Sequence, residues 1–356
     1  MRDPFPFAPI PALSKWVEPY AEKLNFPTLP LHIHEVLGAA LFYTFIHVVV
    51  SPVLSNWLTP QYYPRNSRGK KANWDAHVVS LVQSTLINGL ALWVMYADEE
   101  RRAMDWQERV WGYDGAIGFI QAMAAGYFVW DLITTLLYID VFGLGLLAHA
   151  VSALAVYSFG FRPFLNFYSP TFILYELSTP FLNIHWFFDK LNMTGSRAQL
   201  YNGIALLFTF FSCRLVWGTW QSVVVYGDMW KAIHHAPDAG YVAAALSGNA
   251  TLTDPNLNTM SFVKEAVPVP TWLPGIYVVS NLTLNALNWF WFVKMISAVK
   301  KRFEPAKEKV VFEAGGKTKE GAVVTGVEKK VARHRRQNSI EDIIPDSEEL
   351  REGTIQ

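Results

Sequence analysis

Seven stretches of this chain are each long and apolar enough to cross the hydrocarbon core of a bilayer, and nothing else in the sequence constrains the fold as strongly. A spanning helix needs about 20 mostly apolar residues. Only helices or closed barrels satisfy their backbone groups where there is no water. The runs are 36–54, 76–97, 116–139, 141–161, 167–188, 201–226 and 272–293. The third and fourth are almost continuous, so they must form a tight helical hairpin turning near 140–143. The fifth is the least regular, because Pro170 and Pro180 remove helix hydrogen bonds. No repeat of fixed period is evident. The expected fold is an all-α, multi-pass transmembrane bundle of about seven helices.

The charges agree with this reading. Of 30 basic and 30 acidic residues, 13 and 11 lie from Lys300 onward, so the preceding 299 residues carry only 36. That is about half the density of an average soluble domain. A soluble globular protein is excluded on that count, and a disordered chain by the apolar content. No basic face outside the tail offers a nucleic acid a footprint. The lone cysteine, Cys213, cannot form an internal disulfide and reads as packing. The opening residues lack the apolar core of a signal peptide, and Pro4, Pro6, Pro9 and Pro11 are expected to break any helix there. Membrane entry then depends on the first internal run.

Lys and Arg in the loops set the orientation. Arg65, Arg68, Lys70 and Lys71 follow the first run, and Lys294, Lys300, Lys301 and Arg302 flank the last. This places the N-terminus in the lumen and the C-terminus in the cytosol. The expected division is a lumenal segment 1–33, a first helix with a basic loop 34–74, a main domain 75–302, and a disordered cytosolic tail 303–356. The sequon at Asn249 would be lumenal and that at Asn192 cytosolic. The tail carries Arg333–Arg336 and then Ser339, a weak basophilic kinase pattern in a solvated segment of mixed charge. Trp57, Tyr62, Trp111, Tyr113, Trp230 and Trp272 mark span ends and read as interfacial anchors.

Charged groups near the bilayer centre are costly, so each is a site hypothesis. Three stand out: Asp131, His149 and Glu176. If the hairpin turns near Val141, Asp131 and His149 lie roughly 15 and 12 Å up its two arms, at 1.5 Å per residue. Glu176 lies roughly 18 Å from the cytosolic end of its helix by the same measure. All three can meet at one level, as a general base or nucleophilic imidazole beside carboxylates. The structural alternative is a polar network that only holds helices together. Arg214 could pair with Glu176 or snorkel. His47, His77 and His185 lie nearer span ends and read as interfacial. No nucleotide-binding or hydrolase motif appears, and neither a cofactor nor a metal is expected.

Several motifs are familiar. The stretches Y-F-V-W-D-L around Asp131, L-L-A-H-A-V-S around His149, Y-E-L-S-T-P-F-L-N-I-H-W-F-F-D-K-L from Tyr175, and the closing L-N-W-F-W-F-V-K-M-I resemble the TLC domain family. The likeness covers most of the chain and is stronger toward the branch of TLC domain-containing protein 4 than toward the ceramide synthases. It implies a six-helix barrel, the endoplasmic reticulum membrane, and a role in lipid homeostasis, sphingolipids above all. Ceramide synthases of the family transfer a fatty acyl group from acyl-CoA to a lipid amine, using a His-His pair and a downstream His-Asp-x-x-Asp. Here His149 matches the first histidine, Ala150 stands at the second, and Glu176 and Ser178 occupy the downstream region. The resemblance therefore implies His149, Asp131 and Glu176 as candidate catalytic residues and Ser178, Asn183 and Trp186 as candidate substrate contacts. Membrane lipids are the expected partners, with acyl-CoA as donor if the protein is an acyltransferase. A lipid sensor or carrier is the alternative. A retinal protein is disfavoured, because Lys294 lies at a helix end rather than deep in the bundle.

Overall fold

The structure, a computed structural model, describes residues 1–247, 259–263 and 265–303. The Asn249 sequon and the tail with Ser339 lie outside the described residues. All regular structure described is helical. The principal helices are α1 (Pro11–Leu24), α2 (Leu29–Leu58), α3 (Arg68–Ala97), α4 (Gly115–Leu137), α5 (Ile139–Phe159), α6 (Thr179–Lys190), α7 (Arg197–His234) and α8 (Trp272–Phe303).

By length and hydropathy, five helices among the described residues can cross a membrane: α2, α3, α4 with its lead-in from Trp106, α5 and α7. The chain is thus an all-α membrane helical bundle. The fifth apolar run does not form one rod. It divides into Ser169–Ile173, a 3₁₀ turn over Leu174–Ser178, and α6. Each α-helical piece begins with a proline in its first turn, where a missing N–H costs nothing. The seventh run lies in α8, which is 32 residues long but carries Asn281, Asn285 and Asn288 along one side. Pro11 opens α1 rather than breaking it, for the same first-turn reason.

Two other local features follow from sequence. α2 contains a π turn at Ile46–Val50, immediately before Pro52. The wider turn accommodates the proline ring inside a continuous span. The α4–α5 hairpin turns at Tyr138 and bends again at Gly143, whose φ of 72° and ψ of 173° suit glycine.

α2 packs along α4 at close range. Gly118, Ala122 and Gly126 recur every four residues on α4, the small-residue spacing that lets membrane helices approach. A Cβ at Gly126 would lie 2.4 Å from the Val36 carbonyl oxygen and 2.6 Å from the Ala39 Cβ. Of the residues expected to anchor at the interface, Trp57, Trp230 and Trp272 are exposed, but Trp111 and Tyr113 are buried in the bundle. Trp111 ends a short capped helix, Trp106–Trp111, and Tyr113 follows it, so that this segment tucks inward.

At the start of α3, Asp75 is fully buried and ties α2 to the loop. It accepts hydrogen bonds from Ser51 Oγ at 2.6 Å, Tyr63 Oη at 3.1 Å and Lys71 Nζ at 2.9 Å. Asp75→Ala strands these donors, so thermal unfolding in detergent should show a loss of roughly 1–3 kcal/mol. An unchanged melting temperature would show that this junction does not contribute to stability.

Candidate functional site

Several helices surround a cavity of about 550 Å³. One end is lined by Ser67, Lys70 and Asn73 at the start of α3 and by Asp140, Val141 and Phe142 of the hairpin. Farther in, α3 contributes His77 and Ser80, α4 contributes Tyr127, Trp130 and Asp131, and α5 contributes Leu146 and His149. Glu176, Asn183, Trp186 and Arg214 complete the polar part. Leu182, Phe210, Trp291 and Met295 supply apolar wall. A second cavity of about 80 Å³ also touches His149, Glu176 and Arg214. These three side chains therefore stand at the boundary between the two spaces.

The structure brings Asp131, His149 and Glu176 onto one cavity wall, as their positions along the runs anticipate. They do not form a hydrogen-bonded triad. Among the described residues, no hydrogen bond joins His149 to either acid. The His149 ring sits between Phe128 and Trp291, at centroid distances of 6.4 and 5.8 Å. Asp131 is half-buried and faces the cavity.

Glu176 takes a different role. Its carboxylate lies 3.7 Å from Arg214 Nη2, and both side chains are buried. Arg214 does not snorkel. Its Nε donates to Ser178 Oγ at 3.0 Å, Nη1 to Asn288 Oδ1 at 3.1 Å, and Nη2 to Thr179 Oγ1 at 2.9 Å. A guanidinium inside a bundle needs such partners, because an unpaired buried charge costs several kcal/mol. The π segment Phe211–Trp217 places Arg214 here, and π turns commonly mark functional positions. Ser178 holds Arg214 and is not itself on either cavity wall.

Asn183 and Trp186 do line the cavity, and they work through His77. Asn183 Oδ1 is 2.7 Å from His77 Nδ1, while its Nδ2 donates to Ser80 Oγ at 3.0 Å. Trp186 stacks on the His77 ring with centroids 4.0 Å apart and planes inclined by 19°. His77 is therefore a buried site residue, not an interfacial one. Asn73, His77 and Ser80 are spaced four and three apart, which puts them on one helix face. That spacing was the available sequence signal. His185 is also buried, whereas His47 is half-buried beside Trp130.

Chemically, the site offers an imidazole, a carboxyl group and an anchored guanidinium beside apolar wall. Such a surface can hold a molecule that is polar at one end and apolar along the other. The volume is within the usual 300–1,000 Å³ of small-molecule sites.

The comparisons with known proteins identify the family. The TLC domain family model matches residues 73–297. An uncharacterized TLC domain-containing protein of Schizosaccharomyces pombe is 37% identical over 304 residues, covering 85% of this chain and 90% of the relative. The topoisomerase I damage affected protein 4 of Saccharomyces cerevisiae is 27% identical over 296 residues, covering 80% and 92%. Human TLC domain-containing protein 4 is 32% identical over 149 residues, covering 41% of this chain and 55% of its own length. With its helical membrane bundle and a domain match that includes every polar residue of the cavity named above except those before residue 73, this chain belongs to the TLC domain family.

Proposed function

We propose that the cavity binds a membrane lipid and that His149 transfers a fatty acyl group from acyl-CoA to it. The observation that carries this reading is the convergence of His149, Asp131, Glu176 and Arg214 on one cavity with apolar walls. The apolar wall suits acyl chains. The polar residues suit the reacting carbonyl, because a proton carrier and a cation are close to where negative charge develops.

In this mechanism a ring nitrogen of His149 adds to the thioester carbonyl. The carbon–sulfur bond breaks and CoA leaves as thiolate. The acylated imidazole gives its ring proton to Asp131. The acceptor amine or hydroxyl then attacks, the carbon–nitrogen bond to His149 breaks as Asp131 returns its proton to the departing ring nitrogen, and the acceptor's own proton passes to the thiolate. The net change is acyl-CoA plus acceptor to acylated acceptor plus CoA. Lys70 at one end of the cavity, with Arg65, Arg68 and Lys71 near it in sequence, would attract the anionic CoA headgroup. A sphingoid base is the acceptor that the family resemblance suggests. The proposed setting is the endoplasmic reticulum membrane, with the N-terminus lumenal and the tail cytosolic.

A second reading is a lipid sensor or carrier without chemistry. Two observations favour it: Ala150 stands where ceramide synthases have a second histidine, and among the described residues no hydrogen bond joins His149 to a carboxylate. The deciding experiment is rapid quenching of the purified full chain with long-chain acyl-CoA, followed by peptide mass spectrometry. The transfer reading expects an acyl mass on the peptide containing His149. No adduct, and no acyl-CoA consumption across a broad panel of amine and hydroxyl acceptors, would leave the carrier.

A further inference from the structure

A second polar cluster lies away from the cavity, where the N-terminal segment meets the beginnings of α2 and α4. Its members are Asp3, His32 and Glu35, and one ligand atom from each falls within 4.8 Å of the others. His32 and Glu35 are fully buried, while the Asp3 side chain is 30% exposed. We propose that these three side chains bind a divalent zinc ion that clamps the N-terminal segment to the bundle.

Spacing is the first support. His32 Nδ1 is 2.9 Å from Glu35 Oε2 and 3.6 Å from Asp3 Oδ2. Zinc bonds to nitrogen and oxygen are about 2.0–2.2 Å, so neighbouring ligands of a tetrahedral ion stand roughly 3.3–3.6 Å apart. The two observed separations bracket that value, and a shift of a few tenths of an ångström would admit the ion. The donor set, one imidazole and two carboxylates, is suited to zinc.

An orphaned group is the second support. Glu35 Oε1 is buried and has no hydrogen-bond partner. His34 Nε2 lies 3.7 Å from this oxygen, beyond hydrogen-bond distance, and is already 3.0 Å from the Phe7 carbonyl oxygen. Among the described residues, neither Asp3 nor Glu35 forms an ion pair with a lysine or arginine. Two adjacent buried carboxyl groups must share a proton or face a cation, because both cannot ionise unaided. Glu35 can offer an oxygen to an ion while still meeting His32.

The third support is how His32 is seated. Its Nε2 is 2.8 Å from the Tyr113 hydroxyl. With zinc on Nδ1, the ring proton sits on Nε2 and donates to Tyr113, the outer partner that metal-bound histidines usually have. Gly118 opens the space for the ring: a Cβ there would lie 2.4 Å from His32 Nε2. Asp3 comes from the N-terminal segment, His32 and Glu35 from α2, and Tyr113 from the entry to α4. The ion would thus join three parts of the chain.

The test uses the full chain in detergent, purified through a tag without histidine, stripped with chelator and reloaded with zinc alone. Metal analysis after desalting should find one zinc per chain, and zinc should raise the melting temperature of the stripped protein. Asp3→Asn removes the most exposed ligand and should keep the fold; it should weaken zinc at least tenfold in competition with a chromophoric chelator. His32→Gln should abolish retention. Less than about a tenth of an equivalent retained, with no melting shift, would overturn the proposal. So would stoichiometry and affinity unchanged in Asp3→Asn, which would place the zinc elsewhere.

Discussion

His149→Ala should abolish acyl-CoA turnover and covalent acylation while leaving the melting temperature close to that of the parent. The side chain is half-buried, lines the cavity, and among the described residues makes ring contacts rather than hydrogen bonds, so its removal disturbs little. Asp131→Asn keeps size and hydrogen-bonding capacity but cannot accept the imidazole proton as a carboxylate does. Its rate should fall by about 10²–10⁴-fold, the scale for a lost acid–base partner. Steady-state acyl-CoA consumption with the best acceptor measures both. A His149→Ala protein that turns over at the parental rate would remove the nucleophile from the mechanism.

The second large effect is on stability. Arg214→Met should destabilise the bundle by about 3–5 kcal/mol, because breaking a buried pair strands the remaining charge. Glu176 would lose its cation, and Ser178, Thr179 and Asn288 would lose a shared partner. The double replacement Arg214→Met with Glu176→Gln should recover part of the loss, since no ionised group is then left alone. Chemical or thermal unfolding of the four proteins gives the coupling directly. Additive losses would mean that the 3.7 Å approach contributes no interaction.

Much of the bundle was legible in sequence because hydropathy reports transfer to a bilayer directly. Each of the seven runs corresponds to a helix or, in the fifth, to a proline-divided pair. The 140–143 turn was forced by two runs lying end to end, and Gly143 provides the bend. The α2–α4 contact was less visible. Apolar content does not say which helices touch; the spacing of Gly118, Ala122 and Gly126 does.

For the site, depth along a helix placed Asp131, His149 and Glu176 at one level. Distance along a rod cannot say which charge meets which. Arg214 answers Glu176 because a π turn rotates it into the bundle, and π turns have no simple sequence signature. His77 was misjudged for a related reason. It lies only one residue inside its run, yet the lead-in of α3 starts at Arg68, so the helix continues past it and Asn183 and Trp186 cover it. The Asp3–His32–Glu35 cluster needs residues from two separate segments, and no local spacing announces that.

The central claim is that a lipid chain occupies the cavity behind Lys70. It is tested most directly by photolabelling with a long-chain fatty acid that carries a diazirine at mid-chain, with adducts mapped by peptide mass spectrometry. The account predicts labels on Leu146, Leu182 and Trp291 of the cavity wall, lost when unlabelled lipid competes. Labels confined to outward residues such as Leu136, Leu144 and Val216, with no competition, would contradict it.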